Sequence, residues 1–511
     1  AGDQRQITGR VVNRGRIEAE AETEFVGTLD AAGGICLGAL LIHDSDLLVT
    51  GSPPEPTSLL LEGGANRLLT GNLPNTELWL RGNTRFGTAV LTAMGSVTNE
   101  GVIRLDTTSI DYRQLGSQLV LGTGVLHNGP GGTLRLAAGV GGPRTVAAAL
   151  VNDGTVEFDI AGSVGSSRAR HVNRGTLRLN GVTATFSGMT FENESAGRIT
   201  GDGTLNVSGL RCSNAGTIAP GAPIGVLSLT GTLVQNPAGV VEIELAGSES
   251  GPVHDRLAVS GAAYLEGLLR LERLEGFVPE LGSSFAVVTH AAPYGRFRQV
   301  EGTAVGDELR FDVTYQPTQV LIETVSASSI NEQAPTIVRQ PANQEVVQGR
   351  PAWFGVTVNG ATPLDYQWQL NEVDLPGATD SVLHLPAVSS ADAGAYRVLV
   401  ENAYGSVTSV PASLVVQQSI GTFVALAEAG ATELPVVPGD GVRIEVFNGV
   451  GGGQAPAPAH LDGIEPDGTT LSPFIDFPRP GATVAVGTSF NRFFAETTTP
   501  PEQVSGLSAA N

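Results

Sequence analysis

Short runs in which apolar and polar residues alternate recur along the first half of the chain, and each run ends at a turn. In Thr155–Ile160, for example, Val156, Phe158 and Ile160 alternate with polar residues. This period of two is typical of a β-strand with one buried face and one wet face. The pattern predicts that residues 1–250 form many short strands of one repeated structure.

A turn phrase of the form Asn-x-Gly precedes these runs. The clear copies are Asn99–Ile103, Asn152–Val156, Asn173–Leu177 and Asn214–Ile218, and looser ones begin at Asn13, Asn128, Asn193 and Asn236. From Asn152 onward the asparagines are 20 to 22 residues apart. A repeat of that length cannot bury its apolar face alone and must stack on its neighbours. We therefore predict an all-β protein whose first domain, residues 1–250, is a right-handed parallel β-helix.

Each residue of the turn phrase has a predicted structural role. The asparagine side chain can hydrogen-bond to nearby backbone, and the glycine two places later supplies a positive φ without steric cost. When the coils stack, the asparagines come into register and can form a ladder of amide hydrogen bonds along the axis. The periodic asparagines are therefore predicted to support the fold and not to bind a ligand.

The pattern changes after residue 250. Residues 251–325 carry longer strands such as Glu308–Tyr315, and we assign them as a β cap, because an open helix end would expose unpaired backbone. A polar linker, 326–334, leads to a boundary at Pro335. A separate domain at 335–416 and a β-rich segment at 420–511 complete the predicted organisation.

Composition and charge narrow the class of partner. The 511 residues include 67 glycines and 30 prolines, with only 5% aromatic residues, which indicates many turns and narrow cores. The formal net charge is -22, and all 29 basic residues are arginine. Phosphate binding requires clustered cations, so we predict no nucleic-acid partner.

The two cysteines, the apolar runs and the N-terminus indicate in which compartment the protein is found. Cys36 and Cys212 lie far apart in sequence and imply no disulfide framework, so we predict two unpaired, buried thiols. No apolar run is long enough to span a bilayer. An Ala-Gly start without methionine is typical of a mature N-terminus after signal cleavage. We expect an exported protein, located outside the cell or on its surface.

One stretch of the repeat resembles a known family. Gly216–Leu227 reads Gly-Thr-Ile-Ala-Pro-Gly-Ala-Pro-Ile-Gly-Val-Leu, which is similar to the Gly-Thr-Leu-Ala-Pro-Gly-Asn-Ser-Pro-Gly-Thr-Leu phrase of autotransporter-associated repeats in bacterial autotransporter passenger domains. The resemblance covers roughly residues 90–325. It implies a secreted β-helix, and such repeats serve adhesins, proteases and inert stalks alike.

Residues 335–416 resemble a bacterial immunoglobulin-like domain. Tyr366–Trp368 is similar to the strand that carries the core tryptophan, and Asp392–Tyr396 to the Asp-x-Gly-x-Tyr corner. The resemblance implies a β-sandwich in which Val356 and Val398 stand where disulfide-bonded relatives have cysteines. A packed valine pair would replace the bridge.

The C-terminal segment, 420–511, carries a further resemblance. Val442–Phe447 and Phe474–Pro478 are similar to the opening strands of PA14-type domains, which occur in adhesins and glycan-processing enzymes. The resemblance implies a further small β domain, an incomplete PA14-like one.

Three local features could carry chemistry, and each has a simpler explanation. His43–Asp46 could bind a cation through two carboxylates, but a short Asp-rich turn is more often only a turn. His254 and Asp255 could form part of a proton relay, but they fall within a strand of the repeat. Four arginines could grip an acidic glycan, although local charge balance explains them more simply; these are Arg168, Arg170, Arg174 and Arg178.

The sequence therefore predicts a non-enzyme. Acidic residues are scattered among wet strand positions, no histidines fall at metal-ligand spacing, and no catalytic or phosphate-binding motif is present. We expect no catalytic, cofactor-binding or metal-binding residue and no cofactor. The predicted function is that of a secreted bacterial cell-surface protein that is structural or adhesive, self-assembling into fibres or a surface layer. Its partners would be copies of itself, other surface components or glycans. The alternative is a glycan-binding or glycan-cleaving β-helix.

Overall fold

A computed structural model describes residues 5–108, 115–248, 251–329 and 332–417, together with short strands between Thr422 and Ala495. In this part of the chain the regular structure is almost entirely β-strand, and no helix is long and apolar enough to cross a membrane. The chain divides into two compact units. The first comprises residues 1–340, 355–364 and 401–407, and the second comprises 341–354, 365–400 and 408–511.

Most of the first unit is one sheet of 34 strands, most of which pair in parallel. These strands are Arg5–Val12, Arg16–Ala32, Ile35–His43, Asp46–Gly51, Thr57–Glu62, Asn66–Leu68, Thr76–Gly82, Ala89–Ala93, Val97–Asn99, Val102–Thr107, Ser117–Asn128, Thr133–Leu136, Arg144–Asn152, Thr155–Phe158, Gly162–Gly165, Arg170–Asn173, Thr176–Ser187, Thr190–Asn193, Arg198–Asn206, Arg211–Asn214, Thr217–Pro220, Val226–Thr230, Leu233–Gln235, Val240–Ser248, Gly251–His254, Arg256–Val259, Ala262–Leu265, Leu268–Arg273, Ser284–Thr289, Ala292–Gly295, Gln299–Glu301, Ala304–Val305, Leu309–Gln316 and Gln319–Ser326. A 3₁₀ turn, Leu274–Gly276, interrupts them. This is the predicted all-β, parallel β-helix.

Parallel pairing places equivalent residues of successive coils directly above one another. One such column consists of Leu134, Val156, Leu177, Ile199 and Ile218, and all of them are buried. Because strand side chains alternate between faces, each coil adds its inward residues to one continuous apolar core. That core extends from Phe25 to Ile322.

A ladder of buried amide side chains follows one edge of the coils. Each side-chain nitrogen donates to the side-chain oxygen of the next member at 2.6 to 2.8 Å. The members, in order, are Asn72, Asn99, Asn128, Asn152, Asn173, Asn193, Asn214 and Gln235. The predicted alignment of the asparagines is confirmed from Asn99 to Asn214. Asn13 lies outside the ladder, and its amide donates to the carbonyl of Ile35. The looser copy at Asn236 is not a member, because the preceding glutamine occupies its place.

The glycine of the turn phrase is needed for a different reason from the one predicted. None of Gly101, Gly154, Gly175 and Gly216 has a positive φ. A Cβ on Gly154 would lie 2.2 Å from the carbonyl oxygen of Gly132, and a Cβ on Gly175 would lie 2.1 Å from the carbonyl oxygen of Gly154. The close approach of stacked backbones therefore excludes a side chain at these positions.

The predicted alternation holds through most of each strand and ends earlier than expected in one. Val156 and Phe158 are buried, whereas Ile160 lies beyond the end of its strand and is only half-buried. The backbone turns after Phe158, so the period of two no longer directs the next side chain inward.

Both cysteines are free and buried, as predicted. Burial raises the pKa of the Cys212 thiol to about 12. The pKa of Cys36 is also raised by burial, although a hydrogen bond from Asn13 opposes the shift. Neither thiol ionises readily at neutral pH, so neither is a reactive nucleophile.

Antiparallel strands close the far end of the helix. Parallel pairing continues to Gln299–Glu301, and Gln319–Ser326 then pairs antiparallel with Leu309–Gln316 on one side and Ser284–Thr289 on the other. Phe285 and Phe311 meet edge to face beneath them, with ring centroids 6.2 Å apart. These strands lie in the segment that the sequence analysis assigns as the cap.

The immunoglobulin-like sandwich follows the helix. Its strands are Thr336–Arg339, Gln344–Val347, Ala352–Gly355, Thr357–Asn359, Asp365–Leu370, Val373–Asp374, Val382–Leu385, Gly394–Asn402, Gly405–Thr408 and Ala412–Gln417, with a 3₁₀ turn at Ser390–Asp392. Trp368 is fully buried, and its indole nitrogen donates to the carbonyl of Asp380 at 2.8 Å. The Tyr396 hydroxyl donates to the carbonyl of Asp392 at 2.7 Å, which forms the predicted corner. Val356 and Val398 are each fully buried.

The C-terminal strands are Thr422–Ala427, Gly430–Pro435, Glu445–Asn448, Pro458–His460, Val484–Val486 and Phe493–Ala495, in two three-stranded sheets. Half of Val442–Phe447 and all of Phe474–Pro478, which carry the PA14 resemblance, lie outside the described residues.

Replacing Asn173 by alanine should lower the free energy of unfolding of the helix by about 2 to 4 kcal/mol. The change leaves the buried side-chain oxygen of Asn193 without its donor and removes the acceptor of Asn152, and each unsatisfied buried group costs about 1 to 3 kcal/mol. Denaturant unfolding followed by circular dichroism measures the change. The matched control is Asn180→Ala, since the Asn180 amide bonds to Asp159 on the exposed face. Equal unfolding midpoints for the two variants would contradict a supporting role for the ladder.

Replacing Val398 by aspartate should destabilise the sandwich by roughly 3 kcal/mol or more, because it places an unpaired charge in the core. Val415→Asp is the control, since Val415 is 50% exposed on a strand of the same domain. Unfolding is followed through tryptophan fluorescence and circular dichroism. A Val398→Asp variant with the melting temperature of the wild type would show that Val398 does not lie in the core.

Candidate functional site on the outer face of the coils

An aromatic residue points outward from the strand Thr76–Gly82. Leu78 and Leu80 of this strand are fully buried, so the alternation turns Trp79 and Arg81 to the outer face. Parallel register extends this placement to the next coils. Trp79 pairs with Arg104, and Arg104 pairs in turn with Arg135. Three successive coils therefore present a tryptophan and two arginines in one outward row.

Two guanidinium groups lie against the Trp79 ring. The central carbon of Arg104 is 4.5 Å from the ring centroid, and that of Arg81 is 5.2 Å away. Contacts of this kind contribute about 0.5 to 2 kcal/mol each, depending on how far they are removed from water. They hold both cations at the tryptophan.

Buried carboxylates fix the two guanidinium groups from behind. Glu62, whose side chain is 1% exposed, lies 2.6 Å from Arg81. Asp106, whose side chain is 7% exposed, lies 2.8 Å from Arg104. The Arg81 and Arg104 side chains remain 25% and 33% exposed. Both arginine side chains are therefore positioned by the fold and still partly exposed to solvent.

A third arginine lies beneath this surface. Arg144 is fully buried, and its Nη2 is 3.7 Å from Oδ1 of Asp106, beyond hydrogen-bond distance. Its Nη1 donates to the carbonyl of Gly142. Burial lowers the pKa of Arg144, while the charge of Asp106 opposes the shift. We call Trp79, Arg81, Arg104, Arg144 and their carboxylates Glu62 and Asp106 the Trp79 cluster.

The two carboxylates of His43–Asp46 contact different side chains. The carboxylate of Asp46 accepts two hydrogen bonds from Arg67, at 2.6 and 2.7 Å. Asp44 has a φ of 47° and lies 3.4 Å from the His43 ring. Among the residues that the structure describes, no group of three or more His, Cys, Asp or Glu side chains could hold a metal ion. The segment is a turn.

Asp255 and His254 are both engaged with the backbone. The Asp255 carboxylate accepts hydrogen bonds from the amides of Gly225 at 2.8 Å and Glu244 at 3.0 Å. Burial nevertheless raises the pKa of Asp255 to about 7. His254 bonds to the carbonyl of Ala286. These contacts tie neighbouring coil segments together and do not form a proton relay between the two residues.

The four arginines considered as a binding site for an acidic glycan have two kinds of surroundings. Arg174 bonds to Asp153 at 2.8 Å, and Arg178 lies 3.5 Å from Glu157. Arg168 and Arg170 are exposed. Carboxylates of adjacent coils thus balance Arg174 and Arg178, as the simpler explanation states.

The Trp79 cluster was not anticipated from the sequence. The available signal was the phrase Thr-Glu-Leu-Trp-Leu-Arg-Gly, in which a large aromatic residue occupies a position that the alternation assigns to solvent. The sequence does not predict that Arg104 lies beside Trp79. The two residues are 25 positions apart, and the coils in this part of the chain vary in length.

Comparison with known proteins gives a family for one part of the chain. Residues 335–416 match the model of the immunoglobulin I-set domain. Endoglucanase C of Cellulomonas fimi is 32% identical over 90 residues, which are 17% of this chain and 8% of that protein. The chain thus spans less than a tenth of the curated relative that it matches.

Solved immunoglobulin domains are similar over a comparable length. A chimeric titin Z1Z2 carrying a decorin peptide is 30% identical, covering 17% of this chain and 96% of its own, with a TM-score of 0.15. The titin M3 domain is 28% identical, covering 17% and 98%, with a TM-score of 0.15. From the family match, residues 335–416 of this all-β chain are an immunoglobulin I-set domain.

Proposed function

We propose that this chain is a secreted bacterial surface protein in which the β-helix and the immunoglobulin-like domain serve structure and adhesion. It acts by many contacts along its length, with copies of itself and with surface material, and it does not turn over a substrate. The autotransporter-like phrase at Gly216–Leu227 supports a secreted helix of this kind. Repeated coils offer many similar surfaces, which suits multivalent attachment.

The observation that carries the proposal is the pairing of charges on the outer face. Arg135 bonds to Asp159 at 2.6 Å, and Arg270 bridges Glu242 and Glu301 at 3.0 and 3.2 Å. These pairs link successive coils. A catalytic site instead needs groups that converge on a reacting atom with free hydrogen-bonding capacity. Charges that neutralise one another between coils favour a stable surface over a reaction centre.

The groups with altered pKa values point the same way. Asp255 has a pKa of about 7, and each of its carboxylate oxygens accepts a hydrogen bond from a backbone amide. His171 accepts from the amide of Leu150 and contacts the carbonyl of Ser187, and burial lowers its pKa. Altered pKa values occur in structural networks as well as in active sites. Here the backbone contacts favour the structural role.

A glycan ligand is the second candidate, and the Trp79 cluster is the observation that favours it. Its ring and the partly exposed Arg81 and Arg104 side chains offer a surface for a sugar chain, and its two carboxylates are both paired with arginine. We place this candidate within the adhesive role.

Purified protein incubated with acidic and neutral polysaccharides should release no reducing ends and no unsaturated products. Sedimentation and electron microscopy of the same samples should show assembly or association with bacterial envelope material. The variant Asp255→Asn tests whether any cleavage depends on a carboxylate of this chain, since the pKa of Asp255 is strongly raised.

Two outcomes would contradict the proposal. One is cleavage by the wild type that Asp255→Asn abolishes while the melting temperature is preserved. The other is a monomer, at all concentrations tested, that neither assembles nor sediments with envelope material.

A further inference from the structure

Several buried hydrogen-bond donors of the Trp79 cluster lack acceptors. They are Nε1 of Trp79, Nε of Arg104, and Nε and Nη2 of Arg144. Buried polar groups are hydrogen-bonded in more than nine cases in ten, and each exception calls for an explanation. All four of these atoms are N–H donors. The cluster therefore has a shortage of acceptors.

The carboxylates in the cluster are engaged elsewhere and do not bond to these four donors. Glu62 is held by Arg81. Asp106 accepts from Arg104 at 2.8 Å and from the backbone amide of Thr107 at 2.7 Å. These donors are buried, so a ligand from solvent meets only the exposed parts of the Arg81 and Arg104 side chains, which are 25% and 33% exposed. Such a ligand must supply acceptors and no competing donors. A carboxylate or sulfate has this property, and its oxygens match the fork of a guanidinium group.

The surroundings favour a linear polymer. Trp79, Arg104 and Arg135 stand in successive coils, at the strand spacing of about 4.8 Å. A chain with one negative group per unit could meet successive guanidinium groups along this row. Trp79 is half-buried, and the exposed part of its ring offers an apolar surface to such a chain.

We propose that the Trp79 cluster binds an acidic polysaccharide, with the anionic group of one sugar unit between Arg81 and Arg104 and the sugar against Trp79. Arg144 acts as a positioning residue, because its charge lies beside Asp106 and that carboxylate orients Arg104. The inference rests on the adhesive role proposed above and names the class of ligand for it.

The test is titration calorimetry of the full chain with polygalacturonate as the probe. Wild type should bind it, and binding should weaken as salt is added. Methyl-esterified polygalacturonate has the same backbone without the charges and should not bind. Dextran sulfate distinguishes sulfate from carboxylate as the anionic group, and either preference fits the site. Polyglutamate supplies carboxylates without sugar and should bind at least tenfold more weakly.

The variant Arg104→Gln should weaken binding of polygalacturonate at least tenfold, and Trp79→Leu should weaken it several-fold. The matched control is Arg178→Gln, since Arg178 lies in the same outward row, pairs with Glu157 and belongs to no aromatic cluster. The control should bind within twofold of the wild type. Melting temperatures within a few degrees of the wild type show that each variant is folded.

Three results would overturn the inference. They are no binding of polygalacturonate or dextran sulfate by the wild type, equal binding of polyglutamate, and equal loss in Arg104→Gln and Arg178→Gln. If the wild type still assembles or sediments with envelope material while binding neither polymer, the ligand class is wrong and the structural role stands.

Discussion

The fold of the first unit depends on a buried chain of side-chain amides. Each asparagine of the ladder donates to the next and accepts from the one before, so a polar group inside the coil is satisfied without water. The same amides also donate to backbone carbonyls of the adjacent coil, as Asn152 does to Thr176. Because a coil shifted by one residue would break these bonds and reverse every side chain, the ladder fixes the register.

Register in turn determines the outer surface. Once Asn99 is aligned with Asn128, the strands beside them place Arg104 next to Arg135 and both on the wet face. Each exposed ion pair contributes little, about 0 to 1 kcal/mol. Their regular placement nevertheless gives the face an ordered pattern of charge. The use of arginine alone as the basic residue suits this surface, since its planar fork can hold carboxylates of two coils at once, as Arg270 does.

The sequence predicts the architecture where the coil length is constant. Successive ladder members from Asn152 to Gln235 are 20 or 21 residues apart, and there the strands, the ladder and the buried face all follow from the pattern. Between Asn72 and Asn128 the separations are 27 and 29 residues. The period cannot be read in that region, so the row of Trp79 and Arg104 remained hidden. The glycine of the turn phrase was misread for a related reason. Its constraint is the backbone of the neighbouring coil, which only stacking reveals.

Hydrogen exchange of the asparagine side chains tests the ladder most directly. With asparagine labelled selectively with ¹⁵N, the side-chain amide protons of Asn128, Asn152, Asn173 and Asn193 should exchange with solvent at least a hundredfold more slowly than those of Asn180, which lies on the exposed face. Exchange of the four ladder amides at the rate of Asn180 would show that they are open to water, and would contradict the claim that they hold the coils in register.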